Sequence, residues 1–529
     1  MKKKINVYFV FISILILSII YFSMIPYMVN VLSASIKYNI TNEIRDFAGI
    51  RVIQLILDGI NPYDFNSIQL LQVPSAYIYN IPNCLIAALI CKIFGLSIIE
   101  SLYIVNLLLL ILTSLFLYLA IRKFLNIQKF VDSILLFLTL FILSTTCFSL
   151  FGTLLFNLRV DTFGICILSS LLYYVQCKKS SVFVLSTQIM LLFLTKFYLV
   201  IFALPVFLYI FIVNRKRAYH FLLACIIEGL ALLFVLNTFF PLYLTNTIYV
   251  QYACGSNKLQ LYSLIKNIAR FCVKYFSFTI TSILGLIFII YRKFIKEKKR
   301  PFQLIKENAT YQYLYFLLLS ILSAFLALLY IGQNGDDGFK YFQSMLLPPL
   351  LIFSFLILHE SLIQIRKDVT VTKKITILLS CIFTLFSFFQ FERPQYSSEN
   401  LTSWEKLYSY LDDYNYEDMY LSQIASSYLL RDDNKGFYRA YFDDGHLEYF
   451  RNWKNSSIST LFKEEDKIES LVNLYWNSID YKIASGDFEI VIDNGKYEEE
   501  LKKNYINVET LELKNDTLTW YVNVWIKQN

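Results

Sequence analysis

The sequence predicts a mainly α-helical, polytopic transmembrane bundle of about eleven spans, followed by a C-terminal soluble α/β domain. Three observations carry that reading. Of the 529 residues, 57% are hydrophobic and only 17% are charged, against roughly 25% charged in soluble globular chains. The charge is divided: residues 1–390 hold 33 Lys and Arg against 14 Asp and Glu, whereas residues 391–529 hold 15 against 26. Apolar runs approaching the ~20 residues of a membrane span recur along the first part and stop before residue 392. These contrasts divide the chain into a membrane domain, 1–391, and an acidic domain, 392–529.

The N-terminus reads Met-Lys-Lys-Lys and then an apolar run over 5–25. That run has the length of a full span and no small-residue cleavage site follows it, so it reads as a retained signal anchor. Further runs lie near 98–120, 130–150, 162–177, 181–195, 197–213, 219–240, 271–291, 311–331, 345–358 and 375–391. None alternates with period 2, which favours helices over a barrel.

Eleven spans is an odd number, so the termini lie on opposite sides. With the N-terminus in the cytoplasm, every inner connector is basic, and together they carry 22 of the 33 basic residues before Phe391. Examples are Lys2 to Lys4, Arg122 with Lys123 and Lys129, and Arg215 to Arg217. The C-terminal domain is then extracytoplasmic and the chain is a multi-pass cell-membrane protein. The apolar segment 74–95 would invert this pattern as a span. It carries Asn80, Asn83 and Lys92 and reads as a helix at the outer surface, or partly inserted, within a large first outer loop, 26–97.

All nine cysteines precede residue 390, with no Cys-x-x-Cys pair, so a disulfide framework in the acidic domain is excluded. Three histidines do not make a histidine-rich metal centre. No Gly-x-x-x-x-Gly-Lys loop occurs, which argues against ATP-driven transport by this chain alone.

Ionisable residues gather in the outer segments. The first loop holds Glu43, Arg45 and Asp46, then apolar residues at helical spacing through Leu57. A helix there puts Glu43 and Asp46 on one face, as a general base, a cation site or ordinary solvated charges. Asp58-Gly59 leads into Asn61-Pro62-Tyr63-Asp64, a turn by composition. Arg159-Val160-Asp161 joins two spans, and Gln333 to Tyr341 carries Asp336, Asp337 and Lys340. Lys196 stands between two apolar runs with almost no loop, either snorkelling to the interface or facing a partner. Cations there suit a lipid-linked phosphate, and a carboxylate suits removal of an acceptor proton.

In order and side, these features resemble the GT-C glycosyltransferases, including family 39-like bacterial members that use polyprenyl-phosphate sugars. The resemblance spans roughly residues 5–360. Asn42-Glu43 stands where many members carry Asp-Glu or Glu-Gly. Asp58 to Asp64 is similar to a Gly-x-x-Tyr turn, and Pro74 to Gly95, ending Phe94-Gly95-Leu96-Ser97, to a juxtamembrane helix. Arg159-Val160-Asp161, Thr195-Lys196 and Gly335 to Phe342 resemble recurrent pieces. The resemblance implies a transferase that moves a sugar from a polyprenyl-phosphate donor to an extracytoplasmic glycan, lipid or protein. Glu43 or Asp46 is then the catalytic carboxylate, a choice left open because Asn42 replaces the usual leading Asp. Arg159, Lys196 and Lys340 would bind the donor phosphate. Arg45, Tyr63, Asp64, Asp161, Asp336 and Asp337 would position substrate. No cofactor is required, and a divalent metal is compatible but not indicated. The partners are the lipid-linked sugar and membrane lipids, not nucleic acid.

Two other classes fit an outer-face membrane protein: a polysaccharide polymerase and a secondary transporter or flippase. Polymerases usually place their largest loop late in the bundle, and transporters often show internal repeats that are not evident here. In the acidic domain, Asp487 to Ile492 reads as a strand, Lys496 to Tyr505 as a charged helix, and Leu511 to Ile526 as a hairpin turning at Lys514-Asn515-Asp516. Asp443-Asp444-Gly445-His446 reads as a loop rather than a metal site.

Overall fold

A computed structural model of the chain describes residues 2–38, 46–74, 77, 81–147, 161–177, 180–250, 261–298, 300–331, 338–366, 368–389, 396–430, 435–443, 466–514 and 519–528. Glu43, Arg45, Arg159, Asp336 and Asp337 lie outside these residues. Asp46 and Lys340 belong to described helices by their backbone alone.

Each of the eleven apolar runs forms helix. The chain opens with α1 (Lys2–Tyr38), and the first loop contributes α2 (Asp46–Leu57), α3 (Phe65–Ile68) and α4 (Pro82–Phe94). Then follow α5 (Ile98–Leu125), α6 (Phe130–Cys147), α7 (Asp161–Val175) and α8 (Val182–Thr195). A 3-10 turn (Phe197–Phe202) leads into α9 (Ala203–Val213), then α10 (Arg215–Phe239), α11 (Leu261–Lys274) and α12 (Phe276–Ile290). The membrane part closes with α13 (Pro301–Glu307), α14 (Ala309–Ile331), α15 (Gly338–Arg366) and α16 (Val369–Phe389). Among the described residues, seven helices are long and apolar enough to cross a membrane; the runs at 130–150, 162–177, 181–195 and 197–213 form shorter helices. This is a multi-pass membrane protein.

Local sequence places the ends. Ser97 and Glu100 form a reciprocal capping box at the start of α5, and Asn126 ends it in the left-handed region (φ 48°). Ser181 caps α8 and Asn214 caps α10 with side-chain oxygens. Gly95 ends α4 at φ 64°, a conformation that costs glycine nothing.

Basic connectors meet at one end of the bundle, where their cations bind carbonyls of neighbouring connectors. Lys123 Nζ donates to Gln176 O (2.7 Å), Lys373 Nζ to Asn126 O (2.7 Å) and Arg292 to Gln364 O (2.6 Å). These carbonyls lie at or just past helix C-termini, where free acceptors and the helix dipole favour cations. The opposite end carries the first loop and the acidic domain. α1 starts at the basic end and finishes at the loop end, so the membrane part enters and leaves on opposite faces.

One boundary differs from expectation. The expected first loop opens as helix: α1 continues to Tyr38 with Pro26 inside it. Its last part buries Tyr27, Val31, Ala34 and Tyr38, a helical stripe that packing holds together despite the proline. There Asn30 exchanges two hydrogen bonds with the Tyr396 backbone (3.0 and 2.8 Å), and Lys37 pairs with Glu405 (3.3 Å).

Glu405 belongs to α17 (Ser398–Leu411), the first helix after the membrane part. Beyond it, β1 (Met419–Leu421), β2 (Tyr441–Phe442), β3 (Ile490–Asp493), β4 (Tyr505–Lys514) and β5 (Thr519–Lys527) form a sheet ordered β2-β1-β3-β5-β4. β2, β1 and β3 are parallel, β3 and β5 antiparallel, and β4–β5 is the expected hairpin, with Lys514 paired to Thr519 at its end; residues 515–518 lie outside the described set. α18 (Asp466–Ser485) meets the sheet at Tyr475, whose hydroxyl donates to Phe442 O (2.7 Å) and whose ring stacks on Tyr441. The helix expected over 496–505 is only α19 (Glu498–Leu501). Tyr505 is drawn instead into β4 opposite Lys527, where its ring is buried, and pairing outweighs the local charge pattern.

Candidate functional site

At the loop end of the bundle, α7 begins at Asp161 and α8 ends just before Lys196. Lys196 has an extended backbone (φ −150°, ψ 123°), which turns its side chain out of the helical path. Its Nζ lies 2.6 Å from Asp161 Oδ1, and the two side chains are only 7% and 13% exposed. Lys196 therefore does not snorkel to solvent; it faces a carboxylate inside the protein. Asp161 occupies the first turn of α7, where the helix dipole favours an anion.

The close approach of α7 and α8 depends on Gly164. A Cβ there would lie 2.8 Å from Thr195 Cγ2, one residue before Lys196. Only a hydrogen at that position lets the end of α8 seat against the start of α7.

The first loop is pinned over this region by aromatic packing and backbone hydrogen bonds. Asn61 donates to Phe239 O at the end of α10 (2.6 Å), and Leu242 N donates to Tyr63 O (2.9 Å). The Tyr63 ring packs on Tyr243 (5.1 Å between centroids), whose hydroxyl donates to Leu194 O (3.3 Å). Tyr63 thus reaches the Lys196 corner through one intermediate residue. Burial pushes the Tyr63 hydroxyl well above its ordinary pKa. Asp64 caps α3, accepting from Ser67 N (3.0 Å) and Ser67 Oγ (2.8 Å). Sequence reasoning missed Tyr243, whose one signal is its place just past a predicted span.

It also missed Asn246, one turn beyond Leu242. Its side chain is 0% exposed, and among the described residues neither amide atom has a hydrogen-bond partner. Leaving such a group unsatisfied costs about 1–3 kcal/mol, an expense that a polar ligand can relieve.

α2, the helix that starts at Asp46, is clamped between the bundle and the acidic domain. Arg51, 2% exposed, donates to the carbonyls of Val73 and Pro74. Its guanidinium lies 4.9 Å from the Phe442 ring centroid, and Phe47 packs on Phe437 and Phe442. Tyr438 donates to Asp58, and Gln72 Nε2 to Arg439 O (2.8 Å). Residues 437–442 of the acidic domain therefore hold the helix that begins at Asp46. An arginine amid the apolar pattern of 47–57 was the available signal.

Of the sequence-derived candidates, Asp161 and Lys196 come together, and Tyr63 and Asp64 organise the loop. Asp443 is buried at the end of β2. Among the described residues no group of three or more His, Cys, Asp or Glu could hold a metal ion. Within the bundle, Glu228 accepts from Ser186 Oγ (2.8 Å) and Thr187 Oγ1 (3.1 Å).

No family model matches the chain, and no curated protein does. Among solved structures it is similar to ArnT from Cupriavidus metallidurans bound to undecaprenyl phosphate (10% identity over 92% of this chain and 94% of that one, TM-score 0.46). It is also similar to the apo oligosaccharyltransferase of Archaeoglobus fulgidus (12% identity over 97% and 74%, TM-score 0.49). The complex of the latter with zinc and sulfate matches at 12% identity over 91% and 69%, with a TM-score of 0.45.

Proposed function

We propose that this chain is a membrane glycosyltransferase that moves a sugar from a polyprenyl-phosphate donor to an acceptor on its extracytoplasmic face, a cell-envelope glycan, lipid or protein. The observation that carries the reading is Lys196, a buried cation held beside Asp161 at the loop end of the bundle. An ammonium in a low-dielectric corner binds a phosphate far better than one in water. Asp161 orients it and keeps the empty site from holding an uncompensated charge. Arg159 and Lys340 are further phosphate ligands in this reading, and Arg45, Asp336 and Asp337 position the substrate.

In the reaction, the acceptor hydroxyl attacks the anomeric carbon. The new carbon–oxygen bond forms as the bond from that carbon to the phosphate oxygen breaks. The lipid phosphate leaves with the electron pair, stabilised by the cations, and the hydroxyl proton passes to Glu43 or Asp46. No metal is needed for this balance. The clamp on α2 through Arg51 and Phe442 gives Asp46, the first residue of that helix, a rigid base. The N-terminus is cytoplasmic in this reading, since the basic end of the bundle then faces inward.

The test is transfer from radiolabelled polyprenyl-phosphate sugars into membrane glycans, with wild type, Glu43→Gln and Asp46→Asn at equal protein level. Transfer by wild type that either substitution abolishes supports the reading and selects the base. Full transfer by both variants overturns the base assignment. No transfer from any donor by folded wild type overturns the function and favours the polymerase or transporter.

A further inference from the structure

The strongest feature outside the proposed site is α11, which precedes the α12 span at the loop end. At Tyr275 the backbone leaves helical values (φ −107°, ψ 35°), so α11 and α12 are separate helices. The residues of α11 divide into three arcs at 100° per residue. Tyr262, Ile265, Ala269 and Val273 fall on one arc, and all four are exposed. Lys266, Arg270 and Lys274 follow, each one position on, and form a second arc beside the first. Phe271, on the far side, is buried, as is Tyr275 at the junction.

The apolar arc is substantial, with Tyr262 81% and Val273 66% exposed. In water this would be a costly patch. It runs directly into Phe276, the first residue of α12 and itself exposed, and onward to the outward-facing Ile283 and Ile287 of that span. With the turn that follows it, α12 is long and apolar enough to cross a membrane (Phe276–Lys296), and lipid is the cover that fits such a surface. Continuity of the apolar surface makes lipid the cover on α11 as well. A row of cations along the rim of an apolar face is the geometry of a helix lying among phosphate headgroups, where basic residues are favoured by anionic lipid.

We propose that α11 is a membrane-interface helix on the loop face. Its Tyr262–Val273 stripe sits in the upper acyl region, and its Lys266–Arg270–Lys274 row binds anionic phospholipid headgroups. α11 also packs against α15, the helix that begins at Gly338 and carries Lys340 in its first turn. The inference rests on the exposed surface of α11 and stands apart from the transferase reading.

All five tryptophans lie beyond residue 400, so a tryptophan added to α11 reports alone on lipid contact. The full chain with Ile265→Trp is reconstituted into nanodiscs containing phosphatidylcholine brominated high on the acyl chain. The added emission is expected to be blue-shifted and quenched at least twofold. Red-shifted, unquenched emission, or blue-shifted emission without quenching, overturns the lipid placement in favour of water or a protein partner. For the headgroup, wild type and Lys266→Gln/Arg270→Gln/Lys274→Gln are compared by native mass spectrometry in mixed phosphatidylcholine and phosphatidylglycerol. Loss of phosphatidylglycerol retention by about fivefold per removed charge is expected. Retention kept by Lys266→Arg/Arg270→Lys/Lys274→Arg supports a charge effect. Equal retention by the neutral variant overturns the anionic preference.

Discussion

Lys196 Nζ and Asp161 Oδ1 lie 2.6 Å apart, joining the end of α8 to the start of α7 inside the protein. Breaking such a pair from one side strands a buried charge, at about 3–5 kcal/mol. Lys196→Gln and Asp161→Asn are each expected to lower the melting temperature. The pair Lys196→Met with Asp161→Leu should recover most of that loss. None of the three should recover transfer, which is expected to fall about 100-fold or more when a charge-stabilising group is removed. Melting curves and transfer rates on the same preparations check this. A double variant with wild-type activity would sink the phosphate role.

Gly164 is expected to be intolerant of even one added methyl. Gly164→Ala drives a Cβ to 2.8 Å from Thr195 Cγ2, an overpacking that costs about 1–3 kcal/mol. Thr195→Ser removes the offending methyl while keeping the hydroxyl that binds Leu191 O. The double variant Gly164→Ala/Thr195→Ser should therefore be more stable than Gly164→Ala alone. Equal melting temperatures would show that the helices part by another route.

Asn246 offers a test in which stability and activity move in opposite directions. Its amide is buried and unpaired among the described residues, so Asn246→Leu is expected to stabilise the ligand-free protein by about 1 kcal/mol. If the amide meets a sugar or phosphate oxygen in the complex, transfer falls at the same time. Unchanged transfer would make Asn246 a structural defect with no part in binding.

The acidic domain carries a pH signature at Asp493. Burial pushes this carboxyl above its usual 3.8, while hydrogen bonds from the backbone of Tyr497, Gly495 and Lys496 pull it partly back. A raised folded pKa means that the native state holds the proton more tightly. The resulting stabilisation is complete below about 3.8 and is lost as pH rises through the folded value. Asp493→Asn should flatten that part of the stability curve. Denaturant titrations followed by tryptophan fluorescence read this domain. Parallel wild-type and variant curves between pH 3 and 6 would rule Asp493 out as the source.

Much of the membrane architecture was legible in the chain itself. A helix in lipid must satisfy its own backbone, so each apolar run announces a helix without reference to its neighbours. The basic connectors mark their common end for a similarly local reason. The β4–β5 hairpin was also legible, because alternation and a polar turn suffice. The extension of α1 past Pro26 and the short α19 were not, since packing of Tyr27 and Tyr38 and pairing of Tyr505 overrode local preference.

What the sequence determined alone is the class of molecule: a basic-ended helical bundle, an acidic α/β domain, and which ionisable residues stand between spans. What only the tertiary structure decided is which of those residues meet. Lys196 and Asp161 are 35 positions apart, and Arg51 and Phe442 lie in different domains. Hydropathy and spacing report how one segment meets its solvent. Contacts between distant segments depend on how helices dock, as at Gly164 against Thr195, and that information is spread over both partners.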